Sequence, residues 1–381
     1  MNEKPGPRNN EQPATSDQQR NYPLNQLYFY LTEGCNLACR HCWIQPKFQG
    51  SGHSSPAMDL GLFRLIIDQA KPLGLSVVKL TGGEPLIHPR INEMLDYIKR
   101  EDLRLTVETN GVALTQELAE KMKSCKNPFV SVSIDGVRPE THEWVRGVAG
   151  CLDQAVQGIR HLVQAGFRPQ VIMTIMRRNR DEMEEVVKLA ESLGAGSVKF
   201  NVVQPTARGE LMQQGGETLS IEELVEIGQW VETELSSRSG IRLHYGHPAA
   251  FRPLSRMFSD DGGGCTVCGI FGILGVLANG NYALCGIGET VPDLIFGHAE
   301  IDRLEDVWRN TEILQQIRSG LPSRLKEVCG ECLMKERCFG SCIAQNYYRT
   351  KDLWAPFWFC QEARKKNLFP ETRVWRSPKI P

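Results

Sequence analysis

Six short apolar runs, each followed by an amphipathic stretch of helical period, predict an α/β protein built on a parallel sheet. Six units are short of the eight that close a barrel, so the expectation is an open, partial (β/α)6 TIM-like barrel. Two further observations agree. Gly- and Asn-containing motifs fall at the ends of the runs, where such a fold carries its active site. The helical period also fades after about residue 236, and a Cys- and Gly-rich segment begins near Gly262. The predicted organisation is a disordered tail over 1–24, the barrel over 25–240, a linker over 241–261, a small loop-rich domain stapled by metal over 262–365, and a tail over 366–381.

The predicted strands are Leu27–Leu31, Val77–Leu80, Leu105–Glu108, Val130–Ile134, Val171–Ile175 and Val198–Val203. They are rich in Val, Ile and Phe and mostly read as buried on both faces. Helices predicted at about 59–73, 91–100, 115–124, 152–165, 181–193 and 220–236 connect them by right-handed crossovers. Cys35 follows the first strand, Thr-Gly-Gly-Glu-Pro (81–85) the second and Thr-Asn-Gly (109–111) the third. Ser-Ile-Asp-Gly (133–136) ends the fourth, and Asn201 lies in the sixth with Gln204 just after it.

A formal net charge of −1 gives no electrostatic case for a nucleic-acid or anionic-membrane partner. No apolar run approaches the roughly 20 residues that span a bilayer. The N-terminal segment is polar and lacks the apolar core of a signal peptide, so a cytoplasmic location is expected. In that reducing compartment thirteen cysteines point to metal or catalysis rather than disulfides.

Three of them form Cys35-x3-Cys39-x2-Cys42, and three thiolates so spaced can wrap one face of a compact cluster. A structural zinc site takes four ligands, and His41, lying between two of the cysteines, has poor geometry for the fourth. An iron–sulfur cube normally takes four thiolates, so three leave one iron open to bind something else. The loop, with Trp43 after its third cysteine, resembles the hallmark of the radical S-adenosylmethionine (SAM) superfamily. The resemblance implies catalysis through a [4Fe–4S] cluster on Cys35, Cys39 and Cys42 whose open iron chelates SAM. An electron then splits SAM, and the resulting 5′-deoxyadenosyl radical abstracts hydrogen from substrate. It also implies SAM contacts at Gly82, Gly83, Glu84, Asn110, Ser133, Asp135, Arg146 and Asn201. Glycines without Cβ let the backbone approach the SAM amino group, and Glu84 can accept a hydrogen bond from that ammonium. By the same resemblance Ser133 meets the ribose and Arg146 the SAM carboxylate, with His142 in the pattern between them. Thr-Asn-Gly reads equally as a plain strand-end turn.

The later cysteines, Cys268-x11-Gly280-x4-Cys285 and Cys329-x2-Cys332-x5-Cys338-x3-Cys342 followed by Cys360, resemble the SPASM extension of radical SAM enzymes, with Cys265 as an eighth thiol. The implied ligand sets are Cys265, Cys268, Cys285 and Cys342 for a first auxiliary cluster, and Cys329, Cys332, Cys338 and Cys360 for a second, making three [4Fe–4S] clusters in all. The tight Cys265–Cys268 spacing leaves open a first cluster with a free iron. Cys125 and Cys151 remain. They read as buried structural thiols, or one of them as a hydrogen donor to a substrate radical. A catalytic acid or base is not identifiable, and Asp260 and Asp261 read as either a candidate pair or a solvated loop.

The resemblance implies a peptide or protein substrate, with a ribosomally made peptide foremost. The reaction would be a cross-link, an epimerisation or a backbone excision. It also implies a flavodoxin- or ferredoxin-type electron donor. An N-terminal tail of about 25 residues is too short for a winged peptide-recognition domain, so a separate leader-peptide recognition protein is expected. Sulfatase-maturase-like oxidation and tetrapyrrole (haem) modification are the alternatives. The first places an aspartate directly after the cysteine of the G-x4-C element, where this chain has Gly286. A pure Fe–S electron carrier is the reading of another class, and it gains nothing from an unligated iron.

Overall fold

The computed structural model describes residues 22–50, 55–257 and 268–375. Residues 1–21 of the expected tail, the last six residues, and Cys265, Asp260 and Asp261 lie outside the described residues, whereas Leu24, expected in the tail, is fully buried in the core.

The sheet has ten strands: β1 (Gln26–Tyr30), β2 (Val77–Thr81), β3 (Arg104–Thr109), β4 (Lys126–Ser133), β5 (Gln170–Ile175), β6 (Ser197–Val202), β7 (Arg242–Tyr245), β8 (Ile273–Val276), β9 (Asn281–Ala283) and β10 (Ile295–His298). Their order is β10-β9-β8-β1-β2-β3-β4-β5-β6-β7. From β8 through β7 every neighbouring pair is parallel, and β9 and β10 add as antiparallel strands beyond β8. No pairing among the described residues joins the two edges, so the sheet is open, as six units predicted.

Four strands of the sheet were not predicted, two of them, β7 and β8, in its parallel part. β7 lies within the expected linker and pairs with β6. β8 lies within the expected separate domain and pairs with β1, Leu27 opposite Leu274. Each is four residues long, which is too short to establish a period. The strands also alternate more than expected. Leu27, Phe29, Val78, Leu80, Val198 and Phe200 are fully buried on one face. Tyr28, Lys79, Lys199 and His244 alternate with such residues and line a cavity on the other.

The helices pack on the apolar face. α1 (Leu60–Ala70) is capped by Asp59, whose side chain accepts from the Leu62 N–H at 3.0 Å. α2 (Ile91–Arg100), α3 (Gln116–Lys123), α4 (Pro139–Arg146), α5 (Cys151–Gln164), α6 (Met183–Ser192), α7 (Arg208–Gln214) and α8 (Ile221–Trp230) follow. α8 opens with a capping box between Ser220 and Glu223. The C-terminal part is more helical and less separate than expected. Helices Leu304–Asn310, Glu312–Gly320, Ile343–Thr350 and Trp358–Lys365 bury Trp308, Ile317, Ile343 and Phe359 in the same apolar core as the strands.

Candidate active site

The three-cysteine loop leaves β1 and is fastened to the end of α4. The last carbonyls of a helix lack intrahelical donors. Here the Ala38 N–H donates to the Arg146 carbonyl and the Arg40 N–H to the Val145 carbonyl, both at 2.9 Å. Gly147, at φ +75°, ends the helix, and a Cβ there would lie 2.8 Å from the Ala38 carbonyl. The Arg208 guanidinium donates to the carbonyls of Cys39 (3.1 Å) and Pro46 (3.0 Å) and so closes the far side of the loop. Within it Cys35, Leu37, Cys39 and Cys151 form one buried cluster with Cys42 against it. Burial raises the Cys35 thiol, and Glu84, Cys39 and Cys42 beside it push it further. Cys42 is pushed up to about 11 by burial and then by Cys39.

Gly82-Gly83-Glu84 crosses beneath this loop. The Gly83 N–H donates to the Thr32 carbonyl and the Glu84 N–H to the Gly34 carbonyl, each at 3.0 Å. A Cβ on Gly83 would sit 1.8 Å from the Gly34 oxygen, so the glycine is required by contact with the protein's own loop. Expected to face the SAM ammonium, Glu84 is 1 % exposed and already accepts from Thr109 Oγ1 (2.6 Å), the Asn110 N–H (2.8 Å) and the Leu86 N–H (3.1 Å). Its carboxylate joins the second strand end to the third. Asn110 continues the chain of contacts, donating to Asn36 Oδ1 at 2.7 Å and to the Cys35 sulfur at 3.8 Å. Beside Gly82 and Gly83 a cleft of about 220 Å³ is walled by Thr32, Glu33, Gln45, Lys47 and Glu289. Burial, then Glu33, raises Glu289 to about 7 against the pull of Lys47.

Asp135, expected among the SAM contacts, is fully buried, and its carboxylate lies 2.7 Å from Arg146 Nη2 while accepting from the Thr174 N–H at 2.8 Å. It positions Arg146. Arg146 Nη1 points to the Cys39 sulfur at 3.5 Å, and Nε is buried with no hydrogen-bond partner among the described residues. The guanidinium fork expected to clasp the SAM carboxylate on two prongs is thus turned to Asp135 and Cys39, leaving Nε free. His142 accepts from the Asp135 N–H at 3.1 Å, and burial, then Arg146, lowers it to about 4. Ser133 is half-buried at the end of β4.

The later cysteines gather in two groups. Cys268, Cys285 and Cys342 are neighbours, with Cys342 beside both of the others, and burial and then Cys342 raise the Cys285 thiol. Cys329, Cys332, Cys338 and Cys360 form the other group. The Cys360 thiol is raised by its contact with Cys329, then by burial, Cys338 and Cys332. The Phe357 and Met334 N–H groups donate to the Cys329 and Cys332 sulfurs, each at 3.3 Å. Among the described residues no group of three or more His, Cys, Asp or Glu side chains is placed to hold a single metal ion. The thiols of a four-iron cube bind separate iron atoms and are spaced more widely. The first loop fits such a group by its donors: three buried neighbouring thiols with an unpartnered guanidinium nitrogen alongside. Cys125 is buried at the end of α3, its sulfur 3.8 Å from the Leu95 carbonyl. Neither it nor Cys151 lines the large cavity.

That cavity, of about 410 Å³, lies between the ends of β6 and β7 and the C-terminal part. Asn201, expected among the SAM contacts, lines it together with Gln204, Lys199 and Lys79, facing Cys268, Cys338 and Cys342. After Cys285, a Cβ on Gly286 would lie 2.3 Å from the Tyr30 ring, so the aspartate of the sulfatase-maturase pattern has no room there. Sequence reasoning missed Asn36, Arg208 and Glu182. Asn36 stood between two cysteines and was open to notice, whereas the other two act across more than 40 residues and left no local signal.

Residues 29–190 match the Radical SAM superfamily. The chain is 31% identical over 336 residues to an AdoMet-dependent heme synthase of Methanosarcina barkeri, covering 84% of this chain and 92% of that one. It is 26% identical over 360 residues to the mycofactocin maturase MftC of Mycobacterium tuberculosis, covering 93% and 87%. The fold is shared with Streptococcus suis SuiB, solved bound to its precursor peptide SuiA, at a TM-score of 0.69 and 18% identity over 90% of this chain and 76% of that one. No helix among the described residues is long and apolar enough to cross a membrane. With its three-cysteine loop, the glycine pair beneath it and these likenesses, the chain is an enzyme of the radical SAM superfamily.

Proposed function

We propose that the protein is a radical SAM/SPASM peptide maturase. Cys35, Cys39 and Cys42 hold the cluster that binds SAM, and when bound that cluster supplies the electron that splits SAM to the hydrogen-abstracting radical. Arg146, held by Asp135, offers its Nε to the SAM carboxylate. The Gly82-Gly83 backbone, Asn110 and Ser133 line the remainder of the SAM site, with Glu84 fixing the glycine pair against Asn110. Cys265, Cys268, Cys285 and Cys342 hold one auxiliary cluster and Cys329, Cys332, Cys338 and Cys360 another. The carrying observation is the cavity between the ends of β6 and β7 and the later cysteines, in which the auxiliary clusters would take the space beside Cys268, Cys338 and Cys342 and leave the strand-end wall to substrate. The fold shared with SuiB, solved bound to its precursor peptide SuiA, and the likeness to a maturase along 93% of the chain support a peptide as its occupant. A flavodoxin- or ferredoxin-type protein delivers the electron, and a separate protein presents the leader peptide.

A second reading, tetrapyrrole modification, is favoured by the 31% identity to a heme synthase. One experiment separates them. The enzyme is co-expressed anaerobically with each short open reading frame beside its gene, and peptide masses are measured. A peptide maturase gives a modified peptide: loss of two hydrogens for a cross-link, a larger internal loss for excision, deuterium uptake from heavy water for epimerisation. Peptides left unchanged with SAM cleavage intact, also when the other proteins encoded beside the gene are co-expressed to present the leader, overturn the peptide reading. Replacing Cys35, Cys39 and Cys42 together by Ala is expected to remove one cluster's iron and abolish SAM cleavage, with the auxiliary iron retained. Cleavage persisting in that variant overturns the mechanism.

A further inference from the structure

The cavity face of the sheet carries Lys79 on β2 and Lys199 on β6. Lys79 is committed. Its ammonium lies 2.7 Å from Glu108 Oε1 and 4.6 Å from the centre of the Tyr28 ring, and it is near enough to Cys268 and Cys285 to lower their thiols. Lys199 has no carboxylate within ion-pair distance among the described residues, and no cysteine contributes to its electrostatics. Burial lowers its pKa, Glu108 raises it and Lys79 lowers it further, so one carboxylate serves two ammonium groups. The other basic groups on the wall are accounted for. Arg252 and His247 stand 3.5 and 3.2 Å from Glu232, and burial, then Arg242, holds His244 at about 4, uncharged at neutral pH. Among the described residues Lys199 is therefore the one cation lining this cavity without an acidic partner of its own, and two neutral hydrogen-bonding side chains, Asn201 and Gln204, lie on the same wall.

We propose that Lys199 anchors a carboxylate of the substrate in this cavity, with Asn201 and Gln204 beside it. The inference rests on the reading of the cavity as the substrate site. It selects substrates by an acidic group: a C-terminal or side-chain carboxylate of a peptide, or a carboxylate arm of a tetrapyrrole. An incoming carboxylate supplies the charge that Glu108 cannot give to both lysines, and away from bulk water such a charge-assisted hydrogen bond is strong.

Binding to the holoenzyme tests it with two pairs of probes. One pair is mesoporphyrin IX and its dimethyl ester. The other is each peptide encoded beside the gene, made with its carboxyls free and with every carboxyl amidated. The wild-type enzyme is expected to prefer the free acid of at least one pair by roughly tenfold or more. Lys199→Met should lose that preference, and Lys199→Arg should keep most of it with unchanged folding by circular dichroism. Preference for the porphyrin acid alone keeps the anchor and overturns the peptide reading. Peptides modified by the enzyme but bound equally well when amidated overturn the anchor and keep the peptide reading. No preference in either pair, or a preference that survives in Lys199→Met, overturns the anchor.

Discussion

Arg146 reaches Asp135 and Cys39 with its two terminal nitrogens and keeps Nε in reserve beside three thiols. A guanidinium 8 % exposed depends on its one carboxylate. Taking one partner from a buried ion pair strands the other and costs about 3–5 kcal/mol, a large share of a typical 5–15 kcal/mol stability. Asp135→Asn, which keeps the side-chain oxygen for the Thr174 N–H, is therefore expected to lower stability by about that amount. The urea midpoint measures it, and Asp135→Asn/Arg146→Met should be less destabilised than the sum of its single changes. Additive losses would show that the two side chains do not depend on each other. The sequence made Asp135 and Arg146 visible as members of one pattern, but not their partnership. An ion pair formed across eleven positions leaves the same letters as two separate ligand contacts, and only burial distinguishes them. Glu84 teaches the same lesson: its place after two glycines was legible, while its three donors on β3 and in the turn after Glu84 were not.

At the level of elements, the site depends on how β4 turns into α4, because the end of α4 holds the cysteine loop. Glu182, fully buried just before α6, straps that turn. It accepts from the Val137 N–H (2.7 Å), the Arg138 N–H (3.0 Å) and Arg138 Nη2 (2.7 Å). Gly136 makes room for it, since a Cβ there would lie 2.9 Å from its oxygen. Burial alone would raise the Glu182 pKa, but the Thr141 hydroxyl, the two N–H groups and Arg138 together hold it below the usual range. A carboxyl with a lowered folded value binds fewer protons in the native state. Its stabilisation is present above the unfolded value of about 4.5 and is lost as the pH falls through the folded value. Glu182→Gln should therefore cost about 1–3 kcal/mol at pH 7, and the gap to wild type should narrow below about pH 4.5. Urea midpoints across pH 3.5–7 check it, and a constant gap would remove the charge from the account. The six predicted strands fall within a few residues of those observed because each is an apolar run followed by a stretch of helical period. β7, with the sequence Arg-Leu-His-Tyr, is not such a run, and forms because β6 offers it an edge.

Across the whole molecule the sheet does not stop where the helical period fades. β8 covers the edge of β1, and β9 and β10 extend it, so the first strand of the barrel lies in the middle of a sheet whose far end comes from the cysteine-rich part. The apolar core likewise runs from Leu24 to Phe369 as one cluster. The sequence suggested a barrel that ends at 240 because the helical period fades after about 236 and clustered cysteines follow, whereas folding follows apolar contact. The two accounts differ in one consequence. If the barrel were self-sufficient, a chain ending at Met257 would fold. With a shared core it uncovers β1, Leu24 and the face of α1 that the helix Leu304–Asn310 covers. Each large apolar side chain so exposed costs about 1.5–3 kcal/mol, so a handful equals the whole stability of a typical domain. Such a chain is expected to aggregate or to lack a cooperative thermal transition. A monomeric peak in size-exclusion chromatography with a sharp melt would instead return the boundary to 240. Because the cysteines of the later groups hang from this same core, their distance from the first loop is set by packed strands and helices, which holds the cavity at a fixed reach from the three-cysteine loop.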